Sequence, residues 1–187
     1  MRIISGTLKG KPIAFIKSAI TRPLKDSVKE NIFNIIAHSN LLDINLNKSN
    51  ILDLYSGVGS FGLECVSRGS DKVIFVERNK NAAEILNTNL LTLSIKDKAE
   101  VMNEKIIDFL NRKQLKKFNV FFLDPPFADN SFLEDLNLIK KKKIYKNNHI
   151  VIIHRERKSS DNLKKIINPI IIKKYGRSKI IFAKFLN

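Results

Sequence analysis

The stretch ILDLYSGVGSFGLE, residues 51–64, constrains this chain more than any other. A short apolar run leads into Gly57, Gly59 and Gly62, a G-x-G-x-x-G spacing, and a helical pattern follows. Strand, glycine turn and helix in that order open a βαβ unit whose carboxyl edge receives a ligand. Gly57 is expected to permit the tight turn. Gly59 is expected to let a ligand approach the backbone, and Gly62 to let the helix pack close to the sheet. Glu77 ends the next apolar run, KVIFVE, at the separation where an acid accepts bonds from ribose hydroxyls. An adenosine-containing cofactor follows from the pair. NAD would place a pyrophosphate at the helix N-terminus, where Asp53, four residues before Gly57, would be unhelpful. S-adenosylmethionine carries a positive sulfur and an ammonium, and Asp53 suits it.

The rest of the chain keeps the same rhythm. Strands are predicted at ILDLY, KVIFVE, AEVMN, NVFFLD and HIVIIH, with helices over 60–69, 80–93, 105–113 and 131–142. Alternation of this kind implies an α/β fold with a parallel doubly wound sheet. The ending departs from it: PIIIKKYGRSKIIFAKF reads as two β runs joined at Gly176–Arg177, an antiparallel hairpin. At the start, RIISGTLKGKPIAF reads as a small hairpin turning at Gly6 and Gly10. A helix over TRPLKDSVKENIFNIIA follows, with Pro23 in its first turn. Leu24, Val28, Ile32, Ile35 and Ile36 form its apolar face, with Lys25 and Lys29 away from it. The 187 residues make one domain, an extension over 1–45 and a core over 50–187.

FFLDPPF, residues 121–127, ends a core strand with an acid and two prolines. Proline gives a sheet no N–H, so Pro125 and Pro126 stop the strand at its carboxyl end, the edge where ligands bind. The Asp124 carboxylate and the Pro125 carbonyl make two convergent acceptors, suited to an –NH₂ group with two donors. Phe127 can stack on a flat base. The set would hold the exocyclic amine of a flipped-out base with its lone pair turned to a methyl group.

The chain carries 34 Lys and Arg against 18 Asp and Glu, a net charge of +16, which points to a polyanionic partner. Richness in Lys, Ile and Asn together discounts the lysines, so Arg2, Arg22, Arg78, Arg155 and Arg177 are the more informative cations. The single cysteine, Cys65, excludes an internal disulfide, argues against a Cys-based metal site and reads as a core residue. No signal peptide is expected, because MRIISGTLKG has a polar break before an apolar h-region could form, and no run nears the roughly 18 apolar residues of a membrane span. A cytoplasmic monomer without membrane attachment is expected. The KKKK run at 140–143 suits a solvated helix end. His154 follows the fifth strand with nothing acidic or nucleophilic beside it in sequence, and it is not read as catalytic.

ILDLYSGVGSFGLE, FVERN and DPPF together resemble motifs of class I S-adenosylmethionine-dependent methyltransferases acting on amino groups. RIISGTLKGKPI, RP, DSVKENIFN and YGRSKI resemble more narrowly the RsmD family, which methylates N2 of a guanine in 16S ribosomal RNA. The resemblance implies a Rossmann-like seven-stranded sheet, S-adenosylmethionine as methyl donor, and 16S rRNA or the small ribosomal subunit as partner. It implies Asp53, Tyr55, Gly57, Gly59, Glu77, Arg78 and Glu104 at the cofactor, with Asn103 and Lys105 as alternatives near the adenine. Asp124, Pro125 and Phe127 would hold the guanine. Arg2, Lys9, Lys11, Arg22, Lys29 and Arg177 would meet RNA. Leu24 departs from the family, which commonly has Thr after RP. An adenine N6 methyltransferase and a non-catalytic RNA-binding assembly factor are the rival readings.

Overall fold

A computed structural model describes residues 1–15 and 24–186. Its elements run α1 (Asp26–His38), β1 (Asn50–Leu54), α2 (Ser60–Ser67), β2 (Lys72–Val76), α3 (Lys80–Thr92) and β3 (Ala99–Met102). They continue with α4 (Ile106–Asn111), β4 (Phe118–Leu123), α5 (Phe132–Lys142), β5 (Tyr145–Glu156), β6 (Ile167–Tyr175) and β7 (Ser178–Phe185). The strands form one seven-stranded sheet in the order β3-β2-β1-β4-β5-β7-β6. The first five are parallel, and β7 enters antiparallel to both β5 and β6. This is the expected α/β sheet with a C-terminal hairpin.

Parallel strands are covered on both faces, so they read as continuous apolar runs, and alternate residues serve opposite layers. Ile51, Val120, Phe122, Ile150 and Ile152 join one core with α1, α2 and α3. Leu52, Leu54, Phe121, Leu123, Val151 and Ile153 join the other, with α4 and α5. Each such fully buried side chain contributes roughly 1.5–3 kcal/mol. Phe61 stacks between Phe33 and Phe122, with centroids 5.1 and 4.0 Å away, and ties α1 and α2 to β4.

The N-terminal segment closes less regularly than a hairpin. Its pairing is short: an antiparallel bridge of Arg2 with Pro12, flanked by bonds from the Ile3 N–H to the Lys11 carbonyl and from the Ile13 N–H to the Met1 carbonyl, around a turn over 5–10. It docks on α2 instead: the Glu64 carboxylate, fully buried, accepts from the N–H groups of Ile4 and Ser5 at 2.7 and 2.9 Å. Ser67 adds bonds with its carbonyl from Thr7 and its hydroxyl from Leu8.

Helix α1 begins at Asp26, with Lys25 as its N-cap, so Leu24 precedes the helix; Pro23 lies outside the described residues. Its buried face is Val28, Lys29, Ile32, Phe33 and Ile36. Lys29 is therefore inside, not away from the core. Its ammonium donates to the Arg2 carbonyl at 2.8 Å and the Ser60 hydroxyl at 3.2 Å, 3.8 Å from Glu64. Burial pushes its pKa down, against the raising charge of Glu64. Among the described residues no helix is long and apolar enough to cross a membrane.

Candidate active site

The sheet order reverses between β1 and β4, and the carboxyl ends of adjacent strands diverge there into a crevice. A cleft of about 1280 Å³ opens at that point. Asp53 and Tyr55 reach it from β1, Glu77 and Arg78 from β2, and Asp124, Pro125 and Phe127 from β4. Met1, Phe15 and Val28, and Tyr175 to Ser178 of the β6–β7 turn, line it as well. Residues 53 and 124, which are 71 positions apart, thus share one space.

Asp53 is 1% exposed, and its Oδ2 accepts from the Gly62 N–H at 2.9 Å. Its Oδ1 is buried with no partner among the described residues. Burial pushes this carboxyl well above the usual range; the Gly62 bond opposes the rise, and the charges of Asp124 and Glu77 add to it. A buried acceptor left unmet is costly, and Asp53 is among the residues that line the cleft.

The glycines divide their work differently from expectation. Gly57 has φ +54, and a Cβ there would meet nothing within 4 Å, so its backbone lies open to the cleft. At Gly59, φ +86, a Cβ would sit 2.3 Å from Leu86 Cδ1, so that glycine serves packing against α3 rather than ligand approach. Gly62 packs as expected: a Cβ would fall 2.3 Å from the Phe75 ring. Glu77 braces the turn, accepting from Gly57 N–H and Asn79 N–H at 2.7 Å each. Asn79 in turn caps α3 through the Ala82 N–H.

Tyr55 takes φ +59, uncommon for a bulky residue. Its hydroxyl donates to Asp135 Oδ2 at 2.7 Å, which anchors the ring across the crevice to α5. Burial raises the Asp135 pKa to about 6 despite the Tyr55 bond, with the charges of Asp129 and Glu134 adding to the rise. Burial likewise pushes the Tyr55 hydroxyl up.

The Asp-Pro-Pro-Phe segment is held from β5. Leu123 pairs with Ile153, so Asp124 and His154 emerge side by side. Nδ1 of His154 lies 2.8 Å from Asp124 Oδ1. Arg155, 1% exposed, donates to the carbonyls of Pro126, Phe127 and Asp129 at 3.1–3.2 Å and to Asn130 Oδ1 at 3.3 Å. Asp161 takes two further bonds from it, at 3.0 and 3.2 Å, and the Phe132 ring lies 4.4 Å from its guanidinium carbon. The net leaves the Pro125 carbonyl out.

Sequence reasoning missed both β5 residues in these places. His154 and Asp124 are 30 positions apart, and only the parallel register joins them. Glu104 is not brought in: it pairs with Arg112 at 2.6 Å, and Lys105 to Ile107 line the cleft instead. Asn103 bonds the Glu77 carbonyl. Of the residues expected at RNA, Arg2, Lys9, Lys11 and Arg177 are exposed, and Arg177 lines the cleft mouth. Lys29 is buried and paired, so it offers no cation to RNA. Arg22 lies outside the described residues.

Known proteins resemble this chain in sequence and in fold. The family model described as "Conserved hypothetical protein 95" matches residues 1–184. "Ribosomal RNA small subunit methyltransferase D" of Haemophilus influenzae is 35% identical over 159 residues, 84% of this chain and 79% of that protein. The protein so named in Buchnera aphidicola subsp. Baizongia pistaciae is 31% identical over 191 residues, 100% and 92% of the two chains. A solved "Putative methyltransferase yhhF" from Escherichia coli superposes with a TM-score of 0.82 at 25% identity, covering 99% and 97% of the two chains. With the family model spanning nearly its whole length and a cleft at the switch point of its sheet, the chain belongs to the RsmD family of methyltransferases.

Proposed function

We propose that this methyltransferase transfers a methyl group from S-adenosylmethionine to the exocyclic N2 of a guanine in small-subunit ribosomal RNA. One observation carries the reading. A buried, half-unmet Asp53 and the Asp124–Pro125 acceptors face a single cleft, so a cationic donor and an amine acceptor meet there. The printed names of the relatives supply the RNA class.

The residues present fit the donor. Asp53 Oδ1 would take its ammonium, and the open backbone at Gly57 would lie along its amino-acid part. Glu77, already fixed by two N–H groups, keeps lone pairs for ribose hydroxyls. When bound, S-adenosylmethionine supplies an electrophilic methyl on a sulfonium centre. Asp124 and Pro125 hold the two amine hydrogens, which aims the nitrogen lone pair and fixes the approach. The Asp124 carboxylate also stabilises the positive charge that builds on nitrogen as it attacks. Phe127 offers the base a face. Arg2, Lys9, Lys11 and Arg177 contact phosphates, which orients RNA without reading its sequence.

The test is incubation of the protein with labelled S-adenosylmethionine and small subunits from cells lacking it, then nuclease digestion and mass spectrometry. The expected product is one N2-methylguanosine. Labelled N6-methyladenosine would move the reading to adenine, and no label at all would favour an assembly factor.

A further inference from the structure

Among the described residues, His154 is the side chain hydrogen-bonded to the Asp124 carboxylate. A carboxylate only accepts, so Nδ1 carries the hydrogen in the 2.8 Å bond to Asp124 Oδ1. Its Nε2 is buried without a partner among the described residues. The ring has little room to turn: its side chain is 12% exposed, and Phe127 meets it at a 79° angle with centroids 5.6 Å apart.

This contact settles a freedom that the sequence leaves open. The last torsion of an aspartate is broad and roughly two-fold, so its two oxygens can exchange places. Engaging Oδ1 removes that exchange and leaves Oδ2 for the substrate. Resting on the reading that Asp124 and Pro125 hold an amine, we propose that His154 is a positioning residue. It fixes the plane of the Asp124 carboxylate, assigning Oδ1 to the imidazole and Oδ2 to the amine. Its neighbour Arg155, turned to the other face of β5, holds the peptides that follow. Consecutive residues of β5 thus set the acceptor site from opposite flanks.

Asparagine and glutamine separate this role from simple packing. The amide of Asn reaches the place of Nδ1, and that of Gln the place of Nε2. In steady-state methyl transfer to small-subunit RNA, His154→Gln and His154→Phe lower kcat by about 10²-fold, the cost of a misplaced reacting group. KM for RNA stays near that of the wild type, because the lost effect belongs to the transition state. His154→Asn keeps most of kcat. Equal kcat in all four proteins overturns the proposal, and so does a loss in His154→Asn as deep as in His154→Phe. Thermal melts and S-adenosylhomocysteine affinity, measured on each variant, separate misfolding from lost positioning.

A second arm needs no turnover. Nitrogen-15 NMR of histidine-labelled protein shows the Nδ1–H form at His154, and Asp124→Ala abolishes that preference. An Nε2–H form in the wild type overturns the proposal. If the wild type itself methylates no RNA amine, the functional reading falls, while the NMR arm still decides the Asp124–His154 pair.

Discussion

At the scale of single residues, burial sets the chemistry of two acids of the cleft, Asp53 and Asp135. Asp135 sits on α5 with its pKa raised from 3.8 to about 6 by burial. The folded state therefore binds more protons than the unfolded chain between those values. Stability from this group is full below about 3.8 and is lost as pH rises through about 6. Asp135→Asn removes that dependence, so denaturant unfolding shows the variant gaining on the wild type as pH rises from 4 to 7. A constant difference between the two proteins would assign the pH dependence elsewhere. Gly62 makes a second residue-scale case. An added methyl meets the Phe75 ring and Val73, both fully buried, and neither has room to yield. Gly62→Ala is expected to cost about 1–3 kcal/mol as overpacking, read from the urea midpoint. Gly57→Ala meets no atom but strains a positive φ, and its larger effect belongs in cofactor affinity.

At the scale of elements, the loop after β4 is held chiefly by another strand. The prolines end β4, but four bonds from Arg155 hold residues 126–130 in place. Arg155→Met leaves Asp161 buried without its partner, and breaking such a pair costs roughly 3–5 kcal/mol. Chemical denaturation reads that loss. A faster proteolytic cut within 126–130 in the native state would report the freed loop, and unchanged cleavage would remove Arg155 as its anchor. The strands and helices that carry the cleft were legible because each is a local pattern. KVIFVE and NVFFLD are apolar runs of strand length, and Asp53, Glu77 and Asp124 stand at strand ends that topology alone brings together. Strand β5 was less legible, since its first residues, Tyr145 to Asn148, are polar or half-exposed. The His154 and Arg155 contacts were illegible for a different reason: they are made across a sheet register that no local pattern encodes. Lys29 did leave a signal. It stands three, four and seven positions before Ile32, Phe33 and Ile36, on their helical face, and the charge of lysine masked it.

At the scale of the whole molecule, the net charge of +16 acts through the cations that remain exposed. Arg2→Ala and Arg177→Ala should each reduce the salt slope of RNA binding by about one unit, measured as log affinity against log salt concentration. Lys29→Met should leave that slope alone and lower the melting temperature, because Lys29 faces Glu64 rather than solvent. A smaller slope for Lys29→Met would return it to the RNA surface. The docking of the N-terminal segment on α2 also bears on how the protein is made. Ile4 and Ser5 find their acceptor, Glu64, 60 and 59 residues later in the chain. At about 5–20 residues per second of synthesis, that acceptor arrives several seconds after the segment leaves the ribosome. Until then residues 3–8 have no surface to bind and Lys29 stays hydrated. One wall of the cleft is therefore assembled only after the first helix of the core has been translated.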